Sequence, residues 1–460
     1  MGNENKITEM IAKARVALKE IEGYSQERVD FLCREVAIEC LKKNNAMRCA
    51  KLAVEEGLMG KVEDKFSKIQ NKVRGAWRDI KDMKTIGKIE YDPVKRISKY
   101  AKPVGVVGAL LPCTNCEATP AIKGLFTIKG RNAIIFAPHP RTKKTSCMMA
   151  EFMRKALAEN DAPVDLVQCI EEPTLELSGQ LMRDCDLVVA TGGPGMVKAA
   201  YSSGSPAYGV GQGNAPVIID ETADLAAAAN KVKQSKTFDY ATSCSTENSL
   251  IVEDSIYDAF IQLLISEGGY LLSQKEKDLL GPVLFPDGEH PNPKLVAQAP
   301  EIIAKAASIN LPDGKAFFIV EEDGVGQGYP FSGEKLAVVV AVYRYSGGFE
   351  NALDLVDRLI SYQGLGHSCG IHTNNDEHIQ ALGERAKASR IMVNQPQCLA
   401  NSGNWYNGMP FTLSLGCGTW GGNIATENIG MKHFLNISWL SEPFEPVKPT
   451  DMELFGREID

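Results

Sequence analysis

Long apolar runs are absent from this 460-residue sequence, and its N-terminal segment has no apolar core of signal-peptide length. No stretch reaches the ~18 apolar residues that a membrane-spanning helix needs, so we expect neither membrane association nor secretion. The net charge is −8 with both signs interspersed, which argues against a nucleic-acid partner. Low-complexity tracts and internal repeats are also lacking. Together these absences predict a cytoplasmic globular protein.

A metal cage is also missing from the sequence. The 12 cysteines should be reduced thiols in the cytoplasm, not a disulfide framework. Cys113 and Cys116 form a C-x-x-C, but no second such pair or H-x3-H completes a site. The group His367, Cys369 and His372 has no partner at ligand spacing either. We therefore expect no metal ion.

What the sequence does contain, from residue 103 onward, is short apolar runs that alternate with helical patterns. Such alternation predicts an α/β protein with a parallel, doubly wound sheet, in which ligands bind at the carboxyl ends of the strands. The first ~75 residues of the chain have helical periodicity. The runs typical of buried strands are PVGVVGALLP, NAIIFAP, DLVQCI, DLVVATGG, APVIID, SLIVED and KLAVVVAVYRY.

A glycine turn, ATGGPGMVKAA at 190–200, joins a predicted strand to a predicted helix. Such a turn lets a phosphate approach the free N–H groups of a helix N-terminus. It is not a G-x-G-x-x-G motif, and neither is GVGQGN at 209–214. By itself the turn is compatible with dinucleotide binding or with a plain strand-to-helix connection.

One cysteine stands out by its neighbours, in the stretch TFDYATSCSTENS at 237–249. Cys244 is surrounded by hydroxyl side chains, which suit an exposed hydrogen-bonding pocket but are also common at strand starts. A catalytic thiol requires a lowered pKa and access to substrate. The residues alone leave Cys244 as one candidate nucleophile among 12 thiols.

In their order along the chain, these segments resemble the aldehyde dehydrogenase superfamily, in its CoA-acylating branch, including the aldehyde dehydrogenase half of bifunctional alcohol/aldehyde dehydrogenases. The resemblance covers nearly the whole chain. Its markers are AVEEGLMGKVEDK (53–65), KPVGVVGALLPCTN (102–115), GRNAIIFAPHPR (130–141), LVVATGGPGMVKAAYSSGSPAYGVGQGNAPVIIDETAD (187–224), SKTFDYATSCS (235–245), GEKLAVVVAVYR (333–344), GLGHS (364–368) and TLSLGCGTWGGN (412–423).

The resemblance implies an aldehyde dehydrogenase fold and a covalent mechanism. Cys244 matches the nucleophile, and Asn115 matches the asparagine that stabilises the oxyanion together with the Cys244 backbone N–H. Glu334 matches the glutamate that holds the nicotinamide ribose of NAD or NADP. His367 is a candidate for proton transfer near the thioester, or else a structural histidine. The other residues implied to bind cofactor are Gly192, Gly193 and Gly195 at the pyrophosphate, and Pro138, His139, Pro140 and Arg141 at the adenosine end.

One departure from hydrolytic relatives concerns their glutamate general base. Its position falls near Val210, and the matching stretch GVGQGNAP holds no carboxylate. Without a base to activate water, hydrolysis of the thioester should be slow, whereas CoA is a thiol and needs less activation. We therefore expect coenzyme A as acyl acceptor, with a hydrolytic dehydrogenase and a non-catalytic nucleotide-binding scaffold as alternatives.

The aldehyde is predicted from the residues beside the nucleophile. Thr242 and Ser243 stand just before the cysteine, where acetaldehyde enzymes of the family carry apolar residues, and Ser245 follows it. These hydroxyl groups favour a short aldehyde with a polar or anionic tail. The YATSCSTENS segment is similar to that of acylating enzymes that convert sulfoacetaldehyde to sulfoacetyl-CoA. Acetaldehyde and propionaldehyde are the alternatives. NADP is slightly favoured over NAD, because PHPRTKK holds no carboxylate to repel a 2′-phosphate.

The resemblance also implies a domain organisation. We expect a Rossmann-like dinucleotide-binding domain over 1–212, with a bridging β-arm near 91–102, an α/β catalytic domain over 213–429, and an oligomerisation tail over 430–460. A homodimer or homotetramer follows by resemblance only. Glu247 could orient local backbone or be a plain ion-paired side chain. Trp420 and Asn423 are expected to pack near the site.

Overall fold

The computed structural model describes residues 4–459. The α-helices are α1 Glu4–Glu20, α2 Gln26–Leu41, α3 Lys43–Gly57, α4 Val62–Lys68, α5 Arg74–Ile80, α6 Thr119–Lys129, α7 Lys143–Ala158, α8 Leu175–Asp184, α9 Pro194–Tyr201, α10 Leu225–Thr237, α11 Tyr257–Ser266, α12 Gln274–Leu284, α13 Pro300–Ala306, α14 Phe349–Tyr362, α15 Asp376–Arg385, α16 Gln397–Ala400 and α17 Asp451–Phe455. None of these helices combines the length and apolarity that crossing a bilayer requires.

The strands include one at each of the seven apolar runs quoted from the sequence. They are β1 Gly87–Asp92, β2 Ile97–Pro103, β3 Val106–Leu110, β4 Ala133–Ala137, β5 Val167–Cys169, β6 Leu187–Thr191, β7 Ala207–Val210, β8 Ala215–Ile219, β9 Glu247–Glu253, β10 Gly269–Leu271, β11 Phe317–Glu321, β12 Val339–Tyr345, β13 Cys369–His372, β14 Ile391–Val393 and β15 Leu435–Ser441.

The first sheet has five parallel strands in the order β5-β4-β3-β6-β7. Every residue of β3 and β4 is buried, which explains why both strands read as continuous apolar runs and not as alternating patterns. The predicted parallel α/β architecture is therefore confirmed. Strand β7 was not predicted, because AYGV is short and contains a glycine.

The second sheet has seven parallel strands in the order β10-β11-β12-β9-β8-β13-β14. Its central strands β8, β9 and β12 are almost fully buried, and together with α10, α11 and α14 they form a second apolar core. The chain passes from the first sheet to the second within residues 211–214, so the carboxyl end of β7 lies close to the start of β8.

A third, antiparallel sheet has the order β1-β2-β15. Its middle strand, β2, contains the ISKYAK segment that was predicted as a β-arm. β15 brings the C-terminal region to that arm and exposes Trp439, 65% accessible, and Leu440. Upstream of β15, Phe411 and Phe434 return to the core of the five-stranded sheet.

Candidate active site

A cavity of about 550 Å³ lies at the carboxyl ends of β3, β4 and β6, against the loop that carries Cys244. This is the place where parallel α/β sheets bind ligands. The only carboxylate among its lining residues is Glu334. The residues predicted for the site that line the cavity are Asn115, Pro138, His139, Pro140, Gly192, Gly193, Thr242, Cys244 and Glu334.

The glycine turn forms one wall of the cavity. Gly193 is the N-cap of α9, and a side chain at Gly193 would project into open space, so this turn leaves room for a group at the helix N-terminus. Gly195 lies in the first turn of α9, and Gly192 packs near Met196. The turn therefore fits the phosphates of a dinucleotide.

At the far end of the cavity, Pro138, His139 and Pro140 follow β4. The side chain of His139 accepts a hydrogen bond from the Arg141 backbone N–H at 3.1 Å, and burial followed by the Arg141 charge lowers its pKa. Arg141 itself does not line the cavity, and its guanidinium donates to the Pro293 carbonyl oxygen at 3.2 Å. The nearby Lys143 is paired with Glu172.

Cys244 and His367 form a close thiol–imidazole pair, in which Cys244 lines the cavity and His367 does not. His367 Nε2 lies 3.1 Å from Cys244 Sγ, and His367 Nδ1 lies 2.8 Å from Ser368 Oγ. When Nδ1 carries its hydrogen towards Ser368, Nε2 is free to accept the thiol proton. His367 is fully buried, so this proton acceptor is held away from bulk water.

Two glycines allow the pair to form. A Cβ at Gly213 would lie 1.8 Å from the Cys244 carbonyl oxygen and 3.2 Å from the His367 ring. A Cβ at Gly366, which has φ +81°, would lie 1.9 Å from the Cys417 carbonyl oxygen. Both positions require glycine because other backbone passes where a side chain would begin.

The surroundings keep both groups uncharged at neutral pH. Burial, followed by the charge of Glu334, raises the pKa of Cys244 to about 12, although Arg390 acts in the opposite direction. Burial and then Arg390 hold the pKa of His367 well below its usual value. The Arg390 guanidinium donates to the His367 carbonyl oxygen at 2.6 Å. The site therefore holds a thiol next to a neutral imidazole.

This protonation state predicts a pH dependence for alkylation of Cys244 by iodoacetamide. Because the raised pKa leaves thiolate scarce at neutral pH, the rate should rise about tenfold per pH unit between about pH 7 and 9 without reaching a plateau. Mass spectrometry of the Cys244 peptide measures the rate, with free cysteine as the reference. A rate that is already pH-independent at neutral pH would contradict the raised pKa.

Asn115 faces the same cavity from the loop after β3. Its Oδ1 accepts a hydrogen bond from Lys68 Nζ at 2.8 Å, and its Nδ2 lies 3.4 Å from Thr114 Oγ1. The amide therefore has N–H groups to offer on the side that does not face Lys68.

Glu334 is nearly buried, and burial raises its pKa to about 8. Its Oε1 accepts a hydrogen bond from the Gly213 backbone N–H at 3.1 Å. Glu334 is thus fixed to the segment that also passes the Cys244 backbone. The position matched to the hydrolytic base, Val210, is a buried residue at the end of β7.

The three hydroxyl side chains predicted to contact substrate differ in their surroundings. Thr242 lines the cavity, but its hydroxyl donates to Asp239 Oδ2 at 2.9 Å. The hydroxyl oxygens of Ser243 and Ser245 lie 3.0 Å apart, and the structure does not bring either residue into the cavity lining. The Thr242 hydroxyl is therefore occupied, and the two serines flank Cys244 outside this cavity.

Of the other residues singled out in the sequence, Glu247 and Asn423 accept backbone hydrogen bonds in the interior. Glu247 is buried and accepts a hydrogen bond from the Gln397 backbone N–H at 3.0 Å, and burial raises its pKa to about 7. Asn423 Oδ1 accepts from the Cys417 backbone N–H at 2.9 Å, whereas Trp420 is 44% exposed.

Sequence reasoning missed two polar residues of this region. His290, from the loop after α12, lines the cavity. Lys123 is buried behind the glycine turn, with Nζ 3.2 Å from Thr191 Oγ1, and burial lowers its pKa to about 7. Neither residue belongs to a motif. Within the described part of the chain, no group of three His, Cys, Asp or Glu side chains could hold a metal ion.

Comparisons with known proteins agree with this geometry. The model of the aldehyde dehydrogenase family matches residues 1–284. A sulfoacetaldehyde dehydrogenase from Acholeplasma sp is 49% identical over 98% of this chain and 93% of its own length. An acylating sulfoacetaldehyde dehydrogenase from Bilophila wadsworthia is 42% identical over 98% of each chain. An acetylating succinate-semialdehyde dehydrogenase from Clostridium kluyveri is 40% identical over 99% of this chain and 100% of its own length.

Among solved structures, an acetylating aldehyde dehydrogenase from Geobacillus thermoglucosidasius superimposes with a TM-score of 0.93 at 38% identity, covering 97% of this chain and 98% of that one. Likeness of this extent covers nearly the whole of both chains. The chain therefore belongs to the aldehyde dehydrogenase family, in its branch of acylating enzymes.

Proposed function

We propose that this enzyme oxidises sulfoacetaldehyde to sulfoacetyl-CoA with NAD or NADP and coenzyme A. The observation that carries the choice of aldehyde is the 49% identity, over nearly the full length of both chains, to the sulfoacetaldehyde dehydrogenase from Acholeplasma sp. The similarity to the Bilophila enzyme, which is named as acylating, supports transfer of the acyl group.

In the proposed mechanism, Cys244 Sγ attacks the aldehyde carbon while His367 Nε2, 3.1 Å away, takes the thiol proton. The oxyanion that forms accepts hydrogen bonds from Asn115 Nδ2 and the Cys244 backbone N–H. One such donor typically contributes about 10²–10³ in rate. Loss of hydride from the resulting thiohemiacetal leaves an acyl thioester on Cys244.

The residues around the cavity fit a nicotinamide dinucleotide. Gly192, Gly193 and Gly195 would hold its pyrophosphate, and Glu334 would hold the nicotinamide ribose. When bound, the nicotinamide accepts the hydride. His139 and Arg141 would lie at the adenosine end. The carboxylate of Glu172 in this region is already paired with Lys143. Its charge is therefore balanced, which is compatible with the 2′-phosphate of NADP.

Transfer of the acyl group to CoA is supported by the residues around the Cys244 thioester. Val210, at the position of the hydrolytic base, is apolar and buried, and the one carboxylate lining the cavity, Glu334, is tied to the Gly213 N–H. Water close to Cys244 would therefore lack a free carboxylate to take its proton. A thiol acceptor is already partly ionised near neutral pH and needs no such base.

A comparison of aldehydes tests the substrate. With saturating cofactor and CoA, kcat/KM for sulfoacetaldehyde should exceed that for acetaldehyde and for propionaldehyde by about tenfold or more, because a sulfonate adds interactions that an alkyl chain lacks. Initial rates of NAD(P)H formation measure this ratio, and succinate semialdehyde is the matched anionic control. A higher kcat/KM for acetaldehyde would exclude sulfoacetaldehyde as the preferred substrate.

We further propose the domain organisation expected from the sequence, with a cofactor domain over 1–212, a catalytic domain over 213–429 and an oligomerisation tail over 430–460. The boundary near 212 is supported by the end of the five-stranded sheet at Val210 and the start of the seven-stranded sheet at Ala215. Exposed apolar residues on β15 support a homodimer or homotetramer, and the 12 free cysteines support work in the reducing cytoplasm.

A further inference from the structure

Four buried charged side chains lie directly behind the proposed nucleophile and oxyanion donor. Lys65 and Lys68, from α4, meet Glu117 and Asp239, and none of the four is more than 5% exposed. We call these four residues the lysine–carboxylate cluster. Its charges balance, which fits the rule that buried ions must be paired.

The ammonium group of Lys68 is bonded to both loops of the site. Lys68 Nζ donates to Asp239 Oδ2 at 2.7 Å and to Asn115 Oδ1 at 2.8 Å, and it lies 3.1 Å from Glu117 Oε1. Lys68 Nζ therefore donates hydrogen bonds to Asp239 and Asn115, whereas its contact with Glu117 Oε1 is an ion pair without a hydrogen bond. One cation thus connects the Asn115 loop with the loop that carries Cys244.

On the nucleophile side, Asp239 holds a backbone conformation that side chains rarely adopt. Asp239, Tyr240 and Ala241 have φ values of 49°, 50° and 63°, and none of them is glycine. The Asp239 carboxylate accepts from the Lys61 backbone N–H at 2.8 Å and from the Thr242 hydroxyl at 2.9 Å. Backbone strain of this kind persists only where the surrounding contacts hold the segment in that conformation.

On the oxyanion side, the chemistry of lysine determines the orientation of the amide. An ammonium can only donate, so the Asn115 atom facing Lys68 must be the oxygen, and the NH₂ group must point elsewhere. Asn115 Nδ2 donates one N–H to Thr114 Oγ1 at 3.4 Å. Because Asn115 lines the cavity with Cys244, its second N–H is available to the developing oxyanion.

We infer that Lys68 is a positioning residue, which orients the Asn115 amide towards the oxyanion and ties it through Asp239 to the loop of Cys244. This inference rests on the proposed function, since it needs Asn115 to act as oxyanion donor. Lys68 itself touches neither the cavity nor the reacting atoms.

Two charge-balanced double variants separate positioning from general support of the cluster. Lys68→Met with Glu117→Gln leaves the Lys65–Asp239 pair but removes the donor to Asn115. Lys65→Met with Glu117→Gln leaves the Lys68–Asp239 pair and the bond to Asn115. The Lys68 double variant should lower kcat by about 10- to 100-fold, because a misoriented Asn115 loses part of its effect as an oxyanion donor. The Lys65 double variant should lower kcat by no more than about threefold.

Three further readouts distinguish positioning from loss of structure. For the Lys68 variant, alkylation of Cys244 by iodoacetamide should keep its rate, because no oxyanion forms in that reaction, and the Kd for NAD(P)H should be unchanged. In an Asn115→Ala background, the same double substitution should lower kcat by only about twofold, because the two changes act on one interaction.

Equal losses of kcat in the two double variants, or an undiminished loss in the Asn115→Ala background, would overturn the inference while leaving the proposed function intact. A wild-type enzyme without activity on any aldehyde would overturn both. If the Lys68 variant does not fold, Asn115→Asp is compared with Asn115→Ala. The aspartate keeps an acceptor for Lys68, so its Tm should be the higher one, and an equal or lower Tm would refute the Lys68–Asn115 bond.

Discussion

Replacing Cys244 with alanine should abolish aldehyde-dependent formation of NAD(P)H while leaving a folded protein that binds cofactor. Alanine removes the only atom that can form the thiohemiacetal, so kcat should fall by at least about 10⁴-fold, as for other enzymes that lose a nucleophile. His367 cannot substitute, because its own role is to accept the proton of that thiol. Steady-state rates and fluorescence titration with NAD(P)H measure the two properties.

The matched control for this substitution is Cys113→Ala. Cys113 lines the same cavity and has a partly exposed thiol, yet it has no histidine partner comparable with His367. Its replacement should leave kcat within about threefold of the wild type. More than about a tenth of wild-type activity in Cys244→Ala would show that another group performs the covalent step.

The architecture of this protein was largely predictable because its strands are apolar on both faces. β3, β4, β8 and β12 each follow a continuous apolar run, and a run of that kind in alternation with helices predicts a parallel sheet. β7 and the π-helical turn at Ile69–Val73 were not predicted, since neither differs in pattern from its flanking residues.

Which residues line the cavity could be predicted only from the order of motifs along the chain. Composition left Cys244 among 12 thiols, and the resemblance selected it together with Asn115 and Glu334, all of which line one cavity. The contact between Cys244 and His367 joins residues 123 positions apart. No local periodicity encodes a contact across that separation.

The lysine–carboxylate cluster could not be predicted from the sequence. Lys68 and Asp239 are 171 positions apart and belong to different secondary-structure elements. The left-handed turn at residues 239–241 contains none of the glycines that normally announce one. Likewise, the hydroxyls near Cys244 suggested substrate contacts, but the Thr242 hydroxyl is bonded to Asp239.

Omitting CoA should stop the enzyme after one turnover. Cys244 can still react and lose hydride, so each active site should release one equivalent of NAD(P)H in a burst. The acyl thioester should then persist, because Val210 provides no base to activate water, and the following steady rate should be at least about 100-fold lower than with CoA. Rapid-mixing absorbance of NAD(P)H measures both phases.

A comparison with and without CoA decides whether the acyl group on Cys244 passes to CoA or to water. It uses sulfoacetaldehyde as substrate, absorbance to follow NAD(P)H, and mass spectrometry to identify the acyl product. We predict a single burst and an acylated Cys244 peptide without CoA, and sustained turnover to sulfoacetyl-CoA with it. Sustained turnover to free sulfoacetate without CoA would refute CoA as the acyl acceptor, since it would require a base that activates water at the Cys244 thioester.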